Sequence, residues 1–150
     1  MSVNKFDIPM MISAKAFAEL SVSKRKKVGA VLSKNNRILA VGYNGTLSGL
    51  DNECEIECDE CGGNGCDKCG GEGVVTSEFV LHAEQNLISH CAKNGIATDG
   101  AVLYLTMSPC KNCAKLIAAC GISSVIYDEI YRDSDGIDYL EKCDIEIKKV

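Results

Sequence analysis

Between Asn52 and Gly73 the chain is built almost wholly from Cys, Gly, Asp, Glu and Asn, with Ile56 as its one large apolar residue. Such a stretch cannot fill a core, so a folded unit has to be assembled from the segments on either side of it. The 150-residue chain carries ten cysteines. A disulfide framework would suit a small secreted chain, but 46 % hydrophobic and 25 % charged residues suffice for an ordinary core at this length. The cysteines also come in C-x-x-C pairs, which favours metal over disulfides. Cys58 with Cys61 and Cys66 with Cys69 form two such pairs, followed by Gly62-Gly63 and Gly70-Gly71, which let the backbone turn tightly toward the sulfurs. Four thiolates in this layout predict a closed structural zinc site that orders a coreless insertion.

The formal net charge of −5 argues against a long polyanion as a stable partner, because nucleic-acid binders carry a basic face. The basic run Lys24-Arg25-Lys26-Lys27 reads equally as a solvated face or as local positive potential for a small anionic ligand. No apolar run is long enough to span a bilayer, and the opening MSVNKFDIP lacks the basic-then-apolar layout of a signal peptide. The expectation is a cytoplasmic protein with no membrane partner.

On the two flanks the pattern is that of one α/β domain over residues 1–150, interrupted by the insertion at 54–73. Ile8 to Ser21 places Met11, Ala14, Phe17 and Ala18 at helical spacing, with Pro9 suited to a first turn. Residues 28–32 and 38–43 are β-prone, and the polar residues 34–37 between them predict a hairpin turn. Leu81 to Asn94 predicts a helix ending at Gly95. Residues 101–106 predict a strand, and Pro109 to Cys120 a helix closed by Gly121. A strand at 124–127, a helix at 134–142 and a strand near 145–150 complete the chain. Strand-helix alternation with parallel crossovers implies a mixed sheet covered by helices on both faces. Cys91, Cys120 and Cys143 read as buried small apolar residues, and His90 as surface or core.

Two short motifs carry chemistry. His82-Ala83-Glu84 opens one helix and Ser108-Pro109-Cys110-Lys111-Asn112-Cys113 another. Cys110 and Cys113 are three apart, so both sulfurs face one side, and the helix N-terminus favours their thiolate form. With His82 they make three protein ligands for a zinc whose fourth position stays open, as catalysis requires. Zinc lowers the pKa of bound water to about 7. Glu84 stands near the metal without ligating it, placed to take the water proton, pass it to a ring nitrogen and protonate a departing amine. H-x-E followed by P-C-x-x-C is the pattern of the zinc nucleobase deaminases.

These motifs, together with residues 82–86, 109–115 and 121–127, the stretch RKKVGA (25–30) and GYNGT (42–46), resemble the deoxycytidylate (dCMP) deaminases. The resemblance covers most of the chain outside the insertion. It implies the cytidine-deaminase α/β/α sandwich with a five-stranded mixed sheet. It also implies conversion of dCMP to dUMP and ammonia for thymidylate synthesis, in a homohexamer activated by dCTP, with Mg2+ accompanying the triphosphate, and inhibited by dTTP. Asn44 would lie near the sugar, and Gly42, Tyr43, Asn44 and Gly45 would form the effector site between subunits. The backbone around Ala83 and Ser108 would hold the base edge. Arg25 would contact the 5′-phosphate, since an arginine fork suits phosphate. Residues 131–135 resemble a segment at the active-site rim and receive no role. Cys54 sits where relatives often carry a structural zinc ligand and could replace one of the four cysteines. The repeat CxxCGGxG resembles the zinc-binding repeats of J-protein co-chaperones, which would make the insertion a binding module rather than a staple.

Two rivals remain. A tRNA adenosine deaminase or polynucleotide cytosine deaminase shares the chemistry, but the acidic charge, the absence of Trp and GYNGT argue against it. A non-catalytic zinc adaptor would need no carboxylate beside three ligands, and Glu84 is present. Free cytidine deaminases typically use Cys in place of His82, and riboflavin-pathway deaminases space the two cysteines further apart.

Overall fold

The structure is a computed structural model that describes residues 4–150; residues 1–3 of the expected domain lie outside the described ones. Helix α1 (Asp7–Ala18) precedes a hairpin of β1 (Gly29–Lys34) and β2 (Arg37–Tyr43). Lys34 pairs with Arg37, and Asn35 and Asn36 between them both hold positive φ (52° and 61°). That is the two-residue turn whose twist matches a hairpin, and Asn tolerates it. The insertion carries a short ribbon, β3 (Glu55–Glu57) against β4 (Val74–Thr76), which the sequence pattern did not predict. Its strands are three residues each, too short for alternation to register.

The chain continues through α2 (Ala83–Asn94), β5 (Val102–Met107), α3 (Lys111–Ala119), β6 (Ser124–Glu129), α4 (Asp135–Lys142) and β7 (Glu146–Lys149). Gly95 ends α2 at φ 66°, the left-handed conformation expected of it. The main sheet has five strands in the order β2-β1-β5-β6-β7, with β1 antiparallel to β2 and β5, and with β5, β6 and β7 mutually parallel.

Period-two alternation distributes the strand side chains between two cores. On one face Ala30, Leu32, Leu103, Leu105, Val125 and Tyr127 pack with Leu87 and Ile88 of α2, Ile117 of α3 and Leu140 of α4. On the other, Val31, Tyr104 and Ile126 pack under Met10, Met11 and Ala14 of α1. The central strands are buried on both sides, which is why their sequences read as unbroken apolar runs. Under α1 the buried Asp7 accepts hydrogen bonds from the Tyr104 hydroxyl (3.0 Å), the Lys148 ammonium (3.0 Å) and the Asn4 amide (2.8 Å). Those bonds tie α1 to β5 and β7. Cys91 is buried as expected and Cys120 half-buried, whereas Cys143 is exposed in the turn after α4. Among the described residues, no helix is long and apolar enough to cross a membrane.

Candidate active site

Parallel crossovers bring the starts of α2 and α3 side by side at one end of the sheet. His82 is the N-cap of α2 and Cys110 the N-cap of α3, both with extended backbone. The helix at 111–119 therefore begins one residue after Cys110, and Cys113 faces it from the first turn. Gln85 accepts a hydrogen bond from the His82 amide (2.8 Å), fixing the entry into α2.

His82 Nδ1 lies 3.6 Å from Cys110 Sγ and 3.4 Å from Cys113 Sγ. A nitrogen and a sulfur bound tetrahedrally to zinc at about 2.0 and 2.3 Å stand about 3.5 Å apart. These three side chains therefore fit a tetrahedral metal. Hydrogen bonding from the Cys113 thiol, with His82 alongside and against the cost of burial, brings Cys110 down to about 3. Cys113, with that thiolate, burial and Glu84 around it, is pushed up. A dication makes both sulfurs thiolate by coupling metal binding to proton release.

Glu84 is 4 % exposed, and burial pushes its carboxyl up to about 7 despite the nearby His82. A carboxyl poised there exchanges protons at neutral pH.

The group opens into a cleft of about 430 Å3, of the size that takes a small ligand. His82, Ala83, Glu84, Ser108 and Cys110 line it together with apolar Val28, Val80, Met107 and Ile130 and with polar or charged Asn44, Arg25, Lys26, Arg132 and Glu72. Thus Asn44, Ala83, Ser108 and Arg25 all reach the site. Both ends of the Asn44 amide are engaged: Oδ1 accepts from the Val28 amide and Nδ2 donates to the Lys26 carbonyl, each at 2.8 Å. The Ser108 amide donates to the Glu129 carbonyl (2.8 Å), and its hydroxyl accepts from the Tyr131 amide (2.8 Å).

Gly42 is buried against α2, and a Cβ there would stand 2.6 Å from the Ala83 carbonyl. It sets how closely the helix bearing Glu84 approaches the sheet. Similarly, a Cβ on Gly136 would meet the Pro109 carbonyl at 1.9 Å, so α4 backs the start of α3 closely. Tyr43 is partly exposed on the edge strand, and Asn86 donates to its carbonyl (2.7 Å).

In the insertion, Cys58, Cys61, Cys66 and Cys69 converge. Sulfur separations of 3.7 Å (Cys58–Cys66), 3.8 Å (Cys61–Cys69) and 3.8 Å (Cys66–Cys69) match the roughly 3.8 Å edge of a tetrahedron of zinc-bound sulfurs. Cys69 Sγ accepts from the amides of Cys66 and Gly73, and Cys61 Sγ from Gly65, each at 3.2 Å. The Cys66 amide, with Gly73 alongside and against the cost of burial, holds Cys69 down at about 6. Cys54 is buried but stands apart from this cluster.

The sequence placed Lys26 only within a basic run that could serve a small anion, placed Arg132 in a rim segment without a role, and did not single out Glu72 or Thr76. Nothing local marks Glu72 and Thr76, because their place at the cleft comes from the fold of the insertion and its ribbon.

A buried carboxyl and a Cys2His set at two adjoining helix starts, on an α/β/α sandwich, is the arrangement of the zinc-binding deaminases. The family model for the "Cytidine and deoxycytidylate deaminase zinc-binding region" matches residues 5–129, and the chain belongs to this family. Deoxycytidylate deaminase of enterobacteria phage T4 is 34 % identical over 152 residues, covering 83 % of this chain and 79 % of the phage protein. The human deoxycytidylate deaminase is 33 % identical over 138 residues, covering 85 % of this chain and 68 % of its own. The crystal structure of dCMP deaminase from cyanophage S-TIM5 in complex with dCMP and dUMP superimposes with a TM-score of 0.85 at 39 % identity, covering 100 % of both chains.

Proposed function

We propose that this chain hydrolyses dCMP to dUMP and ammonia. The observation that carries the reading is the buried Glu84 carboxyl beside the His82, Cys110 and Cys113 cluster, in a cleft also lined by Arg25, Lys26 and Arg132. The dCMP deaminases among its relatives support the choice of substrate.

His82, Cys110 and Cys113 would hold zinc, which supplies a water acidified to near neutral pH. The pyrimidine enters between the apolar walls, its edge against the backbone near Ala83 and Ser108. Glu84 takes a proton from the attacking water and gives it to ring N3 as oxygen adds at C4. It then carries the second water proton to the exocyclic amine, the C4–N bond breaks, and ammonia leaves behind a carbonyl. A buried carboxyl with no water shell to reorganise suits this shuttle. Asn44, already braced at both ends, would present a fixed edge to the deoxyribose. Among the cleft cations, Lys26 is paired with Glu129 (2.8 Å) and Arg25 with Glu72 through Nε, whereas Arg132 has no carboxylate partner among the described residues; Arg132 and the remaining donors of the Arg25 guanidinium would meet the 5′-phosphate.

The four insertion cysteines would hold a second, structural zinc. We place the enzyme in the cytoplasm as a homohexamer supplying dUMP for thymidylate synthesis, activated by dCTP with Mg2+ and inhibited by dTTP. In the effector segment Gly42 would serve by packing and Tyr43 by its exposed side.

The test is ultraviolet-monitored deamination of dCMP, CMP, deoxycytidine and dCTP side by side, each with and without dCTP–Mg or dTTP. Rapid loss of cytosine absorbance with dCMP is expected, raised by dCTP and lowered by dTTP. Turnover of tRNA with none on free nucleotides would overturn the assignment.

A further inference from the structure

We propose that the Cys-rich insertion is a working wall of the substrate cleft, in which Glu55 and Glu72 position Arg25 for the 5′-phosphate. The inference rests on the dCMP reading of the cleft.

Arg25 lies on the connection between α1 and β1, a stretch with no secondary structure of its own to hold it. The insertion grips that connection twice. Glu55 Oε1 accepts from the Ser23 hydroxyl (2.7 Å), the Lys24 amide (2.8 Å) and the Arg25 amide (3.0 Å). From the far end of the insertion, Glu72 Oε2 accepts from Arg25 Nε (2.5 Å), and Arg25 Nη1 reaches Thr76 Oγ1 (3.3 Å). One carboxylate fixes the backbone of the loop and the other the guanidinium.

The ribbon brings these groups to one place, because Glu55 and Thr76 are direct cross-strand partners. The Cys58 amide donates to the Gly73 carbonyl (2.9 Å), joining the first knuckle to the end of the second. The knuckle fold thereby sets where Glu72 falls. Arg25, Glu72 and Thr76 all line the cleft that contains His82 and Glu84.

A guanidinium has five N–H donors in a rigid fork. With Nε on Glu72 and one Nη1 hydrogen on Thr76, the outer edge of the fork remains for phosphate oxygens. Its rotamer is settled before the nucleotide arrives, so binding avoids the entropy of ordering a long side chain. Glu55 and Glu72 are thus positioning residues. They act on the phosphate end of the substrate and leave the chemical step untouched.

The experiment compares wild type, Glu72→Gln, Glu55→Gln, Arg25→Ala and the Glu72→Gln/Arg25→Ala pair. It measures KM and kcat for dCMP, together with inhibition constants for dUMP and for deoxyuridine, which lacks the phosphate. In Glu72→Gln, KM for dCMP and the inhibition constant of dUMP should rise about two- to fivefold, the range an exposed ion pair supplies. The kcat and the deoxyuridine constant should not move, and in the Arg25→Ala background Glu72→Gln should add nothing. Glu55→Gln should behave likewise. An unchanged or lowered KM in Glu72→Gln would overturn the proposal, the latter because it would make Glu72 a competitor of the phosphate. Equal losses for dUMP and deoxyuridine would overturn it too, leaving a general structural role. A wild type inactive on dCMP removes the functional reading and this inference together. An active wild type with a silent Glu72→Gln removes the inference alone.

Discussion

Cys110 Sγ stands 3.6 Å from His82 Nδ1 although the two residues are 28 positions apart, and each is the N-cap of its own helix. The relationship follows from topology. Both helices start where strands of one sheet end, so their positive ends converge on the same small volume. Negative sulfur is favoured there.

In the proposed reaction, turnover depends on Glu84. Glu84→Gln preserves shape and the ligand set, so metal content should stay at the wild-type level while kcat for dCMP falls about 10²- to 10⁴-fold. Metal analysis and steady-state kinetics on one preparation check this. Wild-type turnover with metal retained would dispose of the proton-shuttle role.

The two cysteine clusters should separate by mutation. Purified protein should carry two zinc ions per chain; Cys113→Ser should lose one with all activity. Cys66→Ser should lose the other, with lowered thermal stability and residual deamination. Elemental analysis alongside melting curves distinguishes the two cases.

Gly42 controls the seating of α2. In Gly42→Ala the new methyl meets the Ala83 carbonyl and the Leu87 side chain, at 2.6 and 2.9 Å. Relief requires the helix to move, costing about 1–3 kcal/mol of stability. Because Glu84 rides on that helix, kcat should fall along with the melting temperature.

Asp7 predicts how acid affects stability. Burial alone would raise its carboxyl, but hydrogen bonds from Lys148, Asn4 and Tyr104 outweigh it and hold the group below its ordinary value. The stabilisation is therefore complete above the unfolded pKa and fades as pH falls through the folded one, a window at about pH 4 and below. Asp7→Asn should flatten that acid limb in urea titrations, and at pH 7 should cost about 3 kcal/mol by breaking a buried ion pair.

The proposed contact of Arg132 with the 5′-phosphate can be checked. Arg132→Gln should raise KM for dCMP about tenfold, as expected for loss of a charge-assisted bond to phosphate, with deoxycytidine unaffected. Equal effects on both substrates would place Arg132 elsewhere in the mechanism.

The sequence by itself determined the elements and the chemistry. Alternating and helical periodicities are local, so the strands of the main sheet and all four helices could be read directly, to within a few residues at their ends. His82, Cys110 and Cys113 were legible because metal ligation demands particular residue types at particular spacings, and Glu84 because a proton carrier has to stand beside such a set without joining it. The knuckle cysteines were legible for the same reason. Tertiary structure decided which further residues join Asn44, Ala83, Ser108 and Arg25 at the cleft, and how they are held there. Glu72 is one acidic residue among many in a Gly-rich run, and Arg132 an unremarkable charge after a strand. Each gains a role only because the ribbon folds back over the connection before β1, or because the loop after β6 turns toward α3. Cys143 makes the same point from the other side: apolar chemistry suggested burial, yet the turn after α4 leaves it exposed. Local pattern encodes what a residue can do. Long-range pairing across the sheet, whose register depends on residues far away in the chain, decides where it does it.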